Sequence, residues 1–230
     1  MQPIRFGDEG QVASQEILSL FNRIAAREPA LRGGPLQRYL GTIESLDRQY
    51  GGSGRLPVED ADELLAATLT ELAHLEQEAR RGGGDPTAVA ELTLAVALWG
   101  LRHEVQIEPV EPVANALAVR SNAARTKQEL AAVFGLMQGV IASVRPRLAA
   151  DLERSNPERP WRILHVNFAI TAIRTEDAGM MAFAFDALDA ALPDEAAGFY
   201  AEALALALAP GIAPHVRQQI EARHGRRDLS

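Results

Sequence analysis

Apolar residues recur at intervals of three and four along almost the whole chain, which is the spacing of one buried face of an α-helix. The stretch 156–192 shows the pattern most clearly, because two stripes follow one another within it: Trp161, Leu164, Phe168 and Ala172, then Met181, Phe185, Leu188 and Leu192. Asn156 and Pro157 predict the first start, since asparagine caps helices and a proline in the first turn breaks no internal hydrogen bond. Thr175 and the two acids after it predict the second start. We therefore predict two antiparallel helices here. Phe183 lies off the second stripe, which predicts that a further face of that helix is covered.

The same periodicity predicts helices over the rest of the chain. Their approximate ranges are 12–27, 35–50, 57–80, 86–105, 112–124, 126–146 with a short continuation over 148–152, 193–209, and 214 onward. Alanine and leucine, both strong helix formers, dominate the composition. We predict an all-α fold of antiparallel helix pairs, stacked as a solenoid or packed as an irregular bundle. The glycine-rich segment 51–54 predicts a flexible joint between an amino-terminal hairpin (1–54) and a larger helical domain (55–230), or else an ordinary loop.

The formal net charge is −8, and the acids are concentrated in one block. Between Pro57 and Pro112 there are twelve acidic residues and three arginines. A negative chain repels phosphates, so the composition argues against nucleic-acid binding. The block, with the acids from Glu71 to Glu78, is either a solvated helix face with acidic first turns or a docking surface for a basic protein partner.

Cysteine is absent from the chain, which excludes disulfides, thiol catalysis and cysteine-ligated zinc. The amino terminus has no apolar run suited to a signal peptide. The longest apolar segment, 203–213, is too short for a membrane span and contains a proline and a glycine. From these features we expect a soluble cytoplasmic protein with no membrane partner.

Two pairs of residues have a spacing that suits metal ligation. Glu71 with His74, and Glu221 with His224, stand three residues apart, as do the ligands by which some helical bundles hold paired iron or manganese. The additional inward glutamates of such bundles are not evident in this sequence. A metal-dependent site is therefore the weaker interpretation, because pairs of this kind arise by chance in glutamate-rich helices.

The remaining polar candidates are basic residues and histidines. Arg120, Arg125 and Lys127 cluster near a predicted helix junction and suit an anion, or alternatively a solvated turn with favourable helix-dipole pairing. His103 ends an apolar helix, where a histidine is expected to cap. His165 has no carboxylate within helical reach to orient it, so we expect a packed histidine with one hydrogen-bond partner.

The starts of the predicted helices recur at a regular spacing along part of the chain. Predicted openings near residues 87, 126, 161 and 194 are separated by intervals in the thirties, the spacing of a two-helix repeat. Trp161-x-x-Leu164-His165-x-x-Phe168 resembles the first helix of a tetratricopeptide repeat, although His165 stands where that family prefers glycine. The other units match only through their leucines. The alternative is that Trp161 and Phe168 are core residues of an irregular bundle.

The resemblance implies a fold and a class of ligand. Stacked helix pairs of this family leave a concave groove that holds peptides or partner proteins. The groove-facing positions would be Arg162, Val166, Ala169 and Ile170, and Arg174 would lie on the same partner-binding side. Val166 occupies the place where peptide-carboxylate clamps carry asparagine, so a carboxylate-terminated ligand is not implied.

Three functions are open on the sequence alone. The leading hypothesis is a non-catalytic interaction module that takes a partner protein segment in a helical groove or on the acidic block. The second is a pocket for a small apolar ligand between facing helices. Its lining would come from the large apolar side chains Phe134, Met137, Trp161, Phe168, Met181 and Phe185. The third is a metal-dependent enzyme. The sequence predicts no cofactor, and homodimerisation through the apolar pair of helices at 156–192 is compatible with all three.

Overall fold

The computed structural model describes residues 14–50, 55–57, 60–83, 85–150, 154–208 and 212–227. Within these ranges the chain is helical and has no strand, which confirms the all-α prediction. The helices are α1 (Ser14–Ala25), α2 (Pro35–Tyr50), α3 (Ala61–Glu78), α4 (Pro86–Arg102), α5 (Glu111–Ala123), α6 (Lys127–Leu148), α7 (Pro160–Thr175), α8 (Ala178–Ala191), α9 (Ala196–Ala207) and α10 (Pro214–Arg227). Among the described helices, none combines the length and the apolar composition that a bilayer span requires.

The chain divides into two compact units. The first comprises the residues up to Asn122 together with Ala142–Val144, and the second comprises Ala123–Ile141 and the residues from Arg145 onward. The predicted joint at 51–54 lies outside the described residues, so a separate amino-terminal domain stays a prediction.

In the first unit, α4 is the central helix. Helices α1 and α3 both pack on it, and α2 packs on α1 and α3. Twelve residues of α4 are buried, so this helix is covered on all sides as its apolar composition requires. Gly100 lets α3 approach closely, because a Cβ at this position would stand 2.6 Å from a methyl group of Leu65.

The second unit contains two helical hairpins, α7 with α8 and α9 with α10, and α10 also packs on α8. The predicted apolar stripes form its core: Trp161, Leu164, Phe168, Ala172, Met181, Phe185, Leu188 and Leu192 are all at most 5% exposed. Tyr200 from α9 packs edge-on against Phe185 at 5.2 Å and donates a hydrogen bond to Asp189. The antiparallel pair predicted from 156–192 is therefore confirmed.

Several helix boundaries differ from the prediction: α4 ends at Arg102 and α9 begins at Ala196, each three residues inside its predicted range. Helix α7 begins at Pro160, because the Asn156 carboxamide accepts a hydrogen bond from the Glu158 amide at 2.9 Å and closes a turn ahead of the helix. Helix α6 continues through Pro146 to Leu148. Pro146 lies in the last turn, so the ring removes one hydrogen bond at an end that frays in any case.

Candidate functional site

The turn between α7 and α8 is built by three consecutive residues. The Thr175 hydroxyl donates to the Ala172 carbonyl at 2.7 Å and accepts from the Asp177 amide at 3.1 Å. Glu176 adopts a left-handed conformation, with a φ of 57°. The Asp177 carboxylate then accepts from the Met180 amide at 2.8 Å and caps α8. These local bonds fix how the two helices meet.

A series of aromatic rings crosses the second unit from its core to its surface. Phe134 of α6 stacks on Phe168 of α7, with ring centroids 4.2 Å apart. Phe168 in turn meets Phe183 of α8 edge-on at 6.1 Å. Phe134 and Phe168 are at most 6% exposed, whereas Phe183 is 50% exposed. The outermost ring is therefore held by the core and presented to solvent.

Ile170 and Val166 on α7 also reach solvent. Ile170 is 38% exposed and Val166 is half-buried. Ile170 and Phe183 stand about equally far from the turn on antiparallel helices, so they lie at the same level of the hairpin. Val166 is one helical turn from Ile170 and shares its face. We call Val166, Ile170 and Phe183 the α7–α8 apolar strip.

The structure places the other predicted groove residues differently. Ala169 is fully buried, so its side chain packs in the core and lines no surface. Arg174 donates to the Ala124 carbonyl at 3.1 Å, which ties α7 to the turn before α6. Arg162 donates to the Glu195 carboxylate at the start of α9 and to the Pro157 carbonyl at 3.2 Å. Both arginines are thus engaged within the protein.

Glu195 is the centre of an ionic cluster that the sequence did not indicate. It accepts hydrogen bonds from Arg159, which is 4% exposed, and from Arg162. Burial alone would raise the pKa of the Glu195 carboxyl, but the hydrogen bonds from Arg159 and Arg162 outweigh it and hold the pKa below its usual value. The cluster therefore acts as a clamp between α7 and α9 and leaves Arg162 little freedom to bind a ligand.

The three cations of the predicted anion site lie in different surroundings. Arg120 belongs to the first unit, is 6% exposed, and acts electrostatically on Glu91. Lys127 binds the Glu176 carboxylate at 2.6 Å, and this hydrogen bond holds the pKa of Glu176 below its usual value. Arg125 is exposed, and its backbone amide donates to Glu129 at 2.7 Å.

The two Glu-x-x-His pairs lie on helix surfaces. On α3, Glu71 is half-buried and His74 is exposed, while on α10 the exposed Glu221 accepts a hydrogen bond from Arg217 at 2.9 Å. In the part of the chain that the structure describes, no group of three or more His, Asp and Glu side chains is arranged to hold a metal ion. The pairs accordingly lack a third ligand of these types among the described residues.

The histidines of the core have structural partners. His165 is 3% exposed, its Nδ1 lies 2.9 Å from the Trp161 carbonyl oxygen, and its ring packs on the indole at 4.1 Å. His103 ends α4 and its Nε2 lies 3.1 Å from an Asp47 carboxylate oxygen. The prediction of a packed His165 is confirmed, and His103 stands at the C-cap of α4 with its ring against Asp47 of α2.

The residues that could line an apolar ligand pocket are instead packed together. Phe134, Met137, Trp161, Phe168, Met181 and Phe185 are each at most 6% exposed. The Thr171 hydroxyl also lies 3.6 Å from the Met137 sulfur. These side chains belong to the core, and a ligand pocket among them stays a prediction.

No protein-family model matches the chain, and neither the curated proteins nor the solved structures gave a match. The tetratricopeptide resemblance therefore stays a prediction from the sequence. Phe183 is the residue of the apolar strip that sequence reasoning misplaced, since it was expected to be covered. Its position off the apolar stripe of α8 was the available signal.

Proposed function

We propose that the protein is a non-catalytic interaction module that binds a segment of a partner protein on the α7–α8 apolar strip. The observation that carries the proposal is the half-exposed ring of Phe183 at the end of the aromatic series. Aromatic side chains are enriched among the residues that dominate binding at protein interfaces. Ile170, 38% exposed, adds apolar area at the same level of the hairpin.

The hairpin that carries the strip is held by hydrogen bonds at both ends, which favours binding. Its turn is fixed by Thr175 and Asp177 and is tied to the segment 124–127 by Arg174 and by the Lys127–Glu176 ion pair. Its open end is tied to the start of α9 by the hydrogen bonds from Arg162 and its neighbour Arg159 to Glu195. A surface that is already ordered loses little conformational entropy when a partner docks. An amphipathic helix suits the strip, because apolar residues one turn apart would meet side chains that are themselves one turn apart.

The test is affinity capture with the full-length protein from an extract of its source organism, comparing variants within the strip and outside it. We expect a stoichiometric partner that is retained by the wild type and lost with Phe183→Ser or Ile170→Ser. Leu206→Ser is the matched control, since Leu206 is 74% exposed on α9. Thermal unfolding of each variant shows whether it is folded.

Two outcomes would contradict the proposal. Retention of the partner by both strip variants would exclude this surface. A partner that is released as salt is raised, and lost on replacing Glu71, Glu76 and Glu78, would assign binding to the acidic block, because attraction between exposed charges weakens as the Debye length shortens. Sedimentation of the purified protein identifies the remaining case, in which the strip is covered by a second copy of the chain.

A further inference from the structure

A cavity of about 630 Å³ lies in the first unit, between α1 and the amino-terminal end of α4. Its volume is in the range of small-molecule sites. Leu20, Ile24 and Ala88 give it apolar walls, while Arg23, Asp85 and Glu91 supply charge. All of these residues belong to the first unit, whereas the α7–α8 apolar strip belongs to the second, so the two surfaces share no residue.

Glu91 is the unusual residue of this cavity. It is 3% exposed on a helix whose other buried residues are apolar, glycine or threonine, and its Oε2 atom is buried without a hydrogen-bond partner. An unpartnered buried carboxylate oxygen lowers the stability of a fold; leucine at this position would avoid that loss, and glutamine would remove the charge. A group that destabilises the free protein is characteristic of a binding site.

Charged groups of both signs act on Glu91, and they differ in whether they already have hydrogen-bond partners. Burial raises the pKa of the Glu91 carboxyl; Arg120 and Arg23 oppose that rise, and Asp85 adds to it. Asp85 is already engaged, since it accepts from the Thr87 and Ala88 amides as the cap of α4 and lies 3.3 Å from Arg27. Arg23 is exposed and donates no hydrogen bond to a described residue.

We propose that this cavity binds a small zwitterion of the amino-acid class, with its ammonium group on Glu91 and its carboxylate on Arg23. A simple anion would meet the unpartnered Oε2 of Glu91, and a simple cation would meet Arg23. A ligand with both charges balances both groups, and its ammonium supplies a charge-assisted hydrogen bond to the Glu91 carboxylate. The aliphatic part would lie against Leu20 and Ile24.

The test uses titration calorimetry of the full-length protein with the linear series from glycine to ε-aminocaproate. For the member that binds best, the carboxylic acid and the amine of the same carbon skeleton are titrated separately. We expect each of these to bind at least about tenfold more weakly, because each forms only one of the two charge-assisted contacts. Amide shifts in α1 and the first turns of α4 should locate the bound ligand.

Variants complete the test. Glu91→Gln and Arg23→Gln should each weaken binding by roughly tenfold or more, while Glu63→Gln, an exposed glutamate of α3, should leave it unchanged. Glu91→Gln removes a buried charge and is expected to fold, which thermal unfolding checks. The proposal is overturned if no member of the series binds, if the acid or the amine binds as well as the zwitterion, or if affinity survives in Glu91→Gln.

Discussion

Replacement of Phe183 by alanine separates the part of this ring that holds the fold from the part that is available to a partner. Truncating a fully buried phenylalanine costs about 3–5 kcal/mol of unfolding free energy. Phe183 is 50% exposed and rests on Phe168, so we expect roughly half of that cost, about 1.5–2.5 kcal/mol. Phe168→Ala, at a site that is 1% exposed, should cost the full amount.

The exposed half of the ring sets the effect on binding. A phenylalanine buries about 150–250 Å², so half exposure leaves about 100 Å² for a partner to cover. At about 25 cal/mol per Å² this area contributes up to about 2.5 kcal/mol, or roughly 70-fold in Kd. Phe183→Ala should therefore weaken partner binding by a factor approaching this value.

Urea unfolding followed by tryptophan fluorescence measures the stability effect. The chain has two tryptophans, and only Trp161 belongs to the second unit, so a Trp99→Phe background makes the signal report on that unit. If Phe183→Ala costs as much as Phe168→Ala, the ring is covered in the free protein and the apolar strip is wrong. If Phe183→Ala costs nothing, the ring does not rest on Phe168.

Three further predictions concern the helices and the buried acid. Burial raises the pKa of Glu91 above its usual 4.5, so ionisation of this carboxyl destabilises the fold as the pH rises through the raised value. The melting temperature of Glu91→Gln should therefore exceed that of the wild type at neutral pH and converge with it in acid. A difference in melting temperature that does not change with pH would contradict this. Gly100→Ala forces the added methyl group against Leu65 and should lower the free energy of unfolding by roughly 1–3 kcal/mol. An unchanged urea midpoint would show that the Leu65 side chain moves aside without loss of stability. Thr126→Ala removes the capping box of α6 and should cost about 1 kcal/mol by urea unfolding, with Thr126→Ser as the control that retains the cap.

The order and type of the helices followed from the sequence because their signals are local. Helix α2 has the predicted bounds, and α4 begins at the predicted Pro86. The start of α7 was placed too early because Asn156 can either cap a helix or close a turn, and the two uses have the same local sequence. Which of the two uses occurs depends on the conformation of the backbone around Asn156.

Burial was only partly predictable. The apolar stripes of α7 and α8 identified the core, yet the same periodicity gave no reason to bury Glu91, and the position of Phe183 off its stripe did not show whether another helix covers the ring. Each outcome depends on which helix covers the residue. Glu195 shows the same limit, because its partners Arg159 and Arg162 lie more than thirty positions away in the chain.

The sequence by itself determined an all-α protein, its helix order and the apolar faces of α7 and α8. Hydrogen bonding within a helix and the 3.6-residue period are properties of short segments. The tertiary structure decided which charged groups are buried and which apolar groups are exposed. It places Glu91 at a cavity beside α1, and it leaves Phe183 at the surface on top of Phe168. Those choices arise from contacts between segments that are distant in the chain, and both proposed binding sites rest on them.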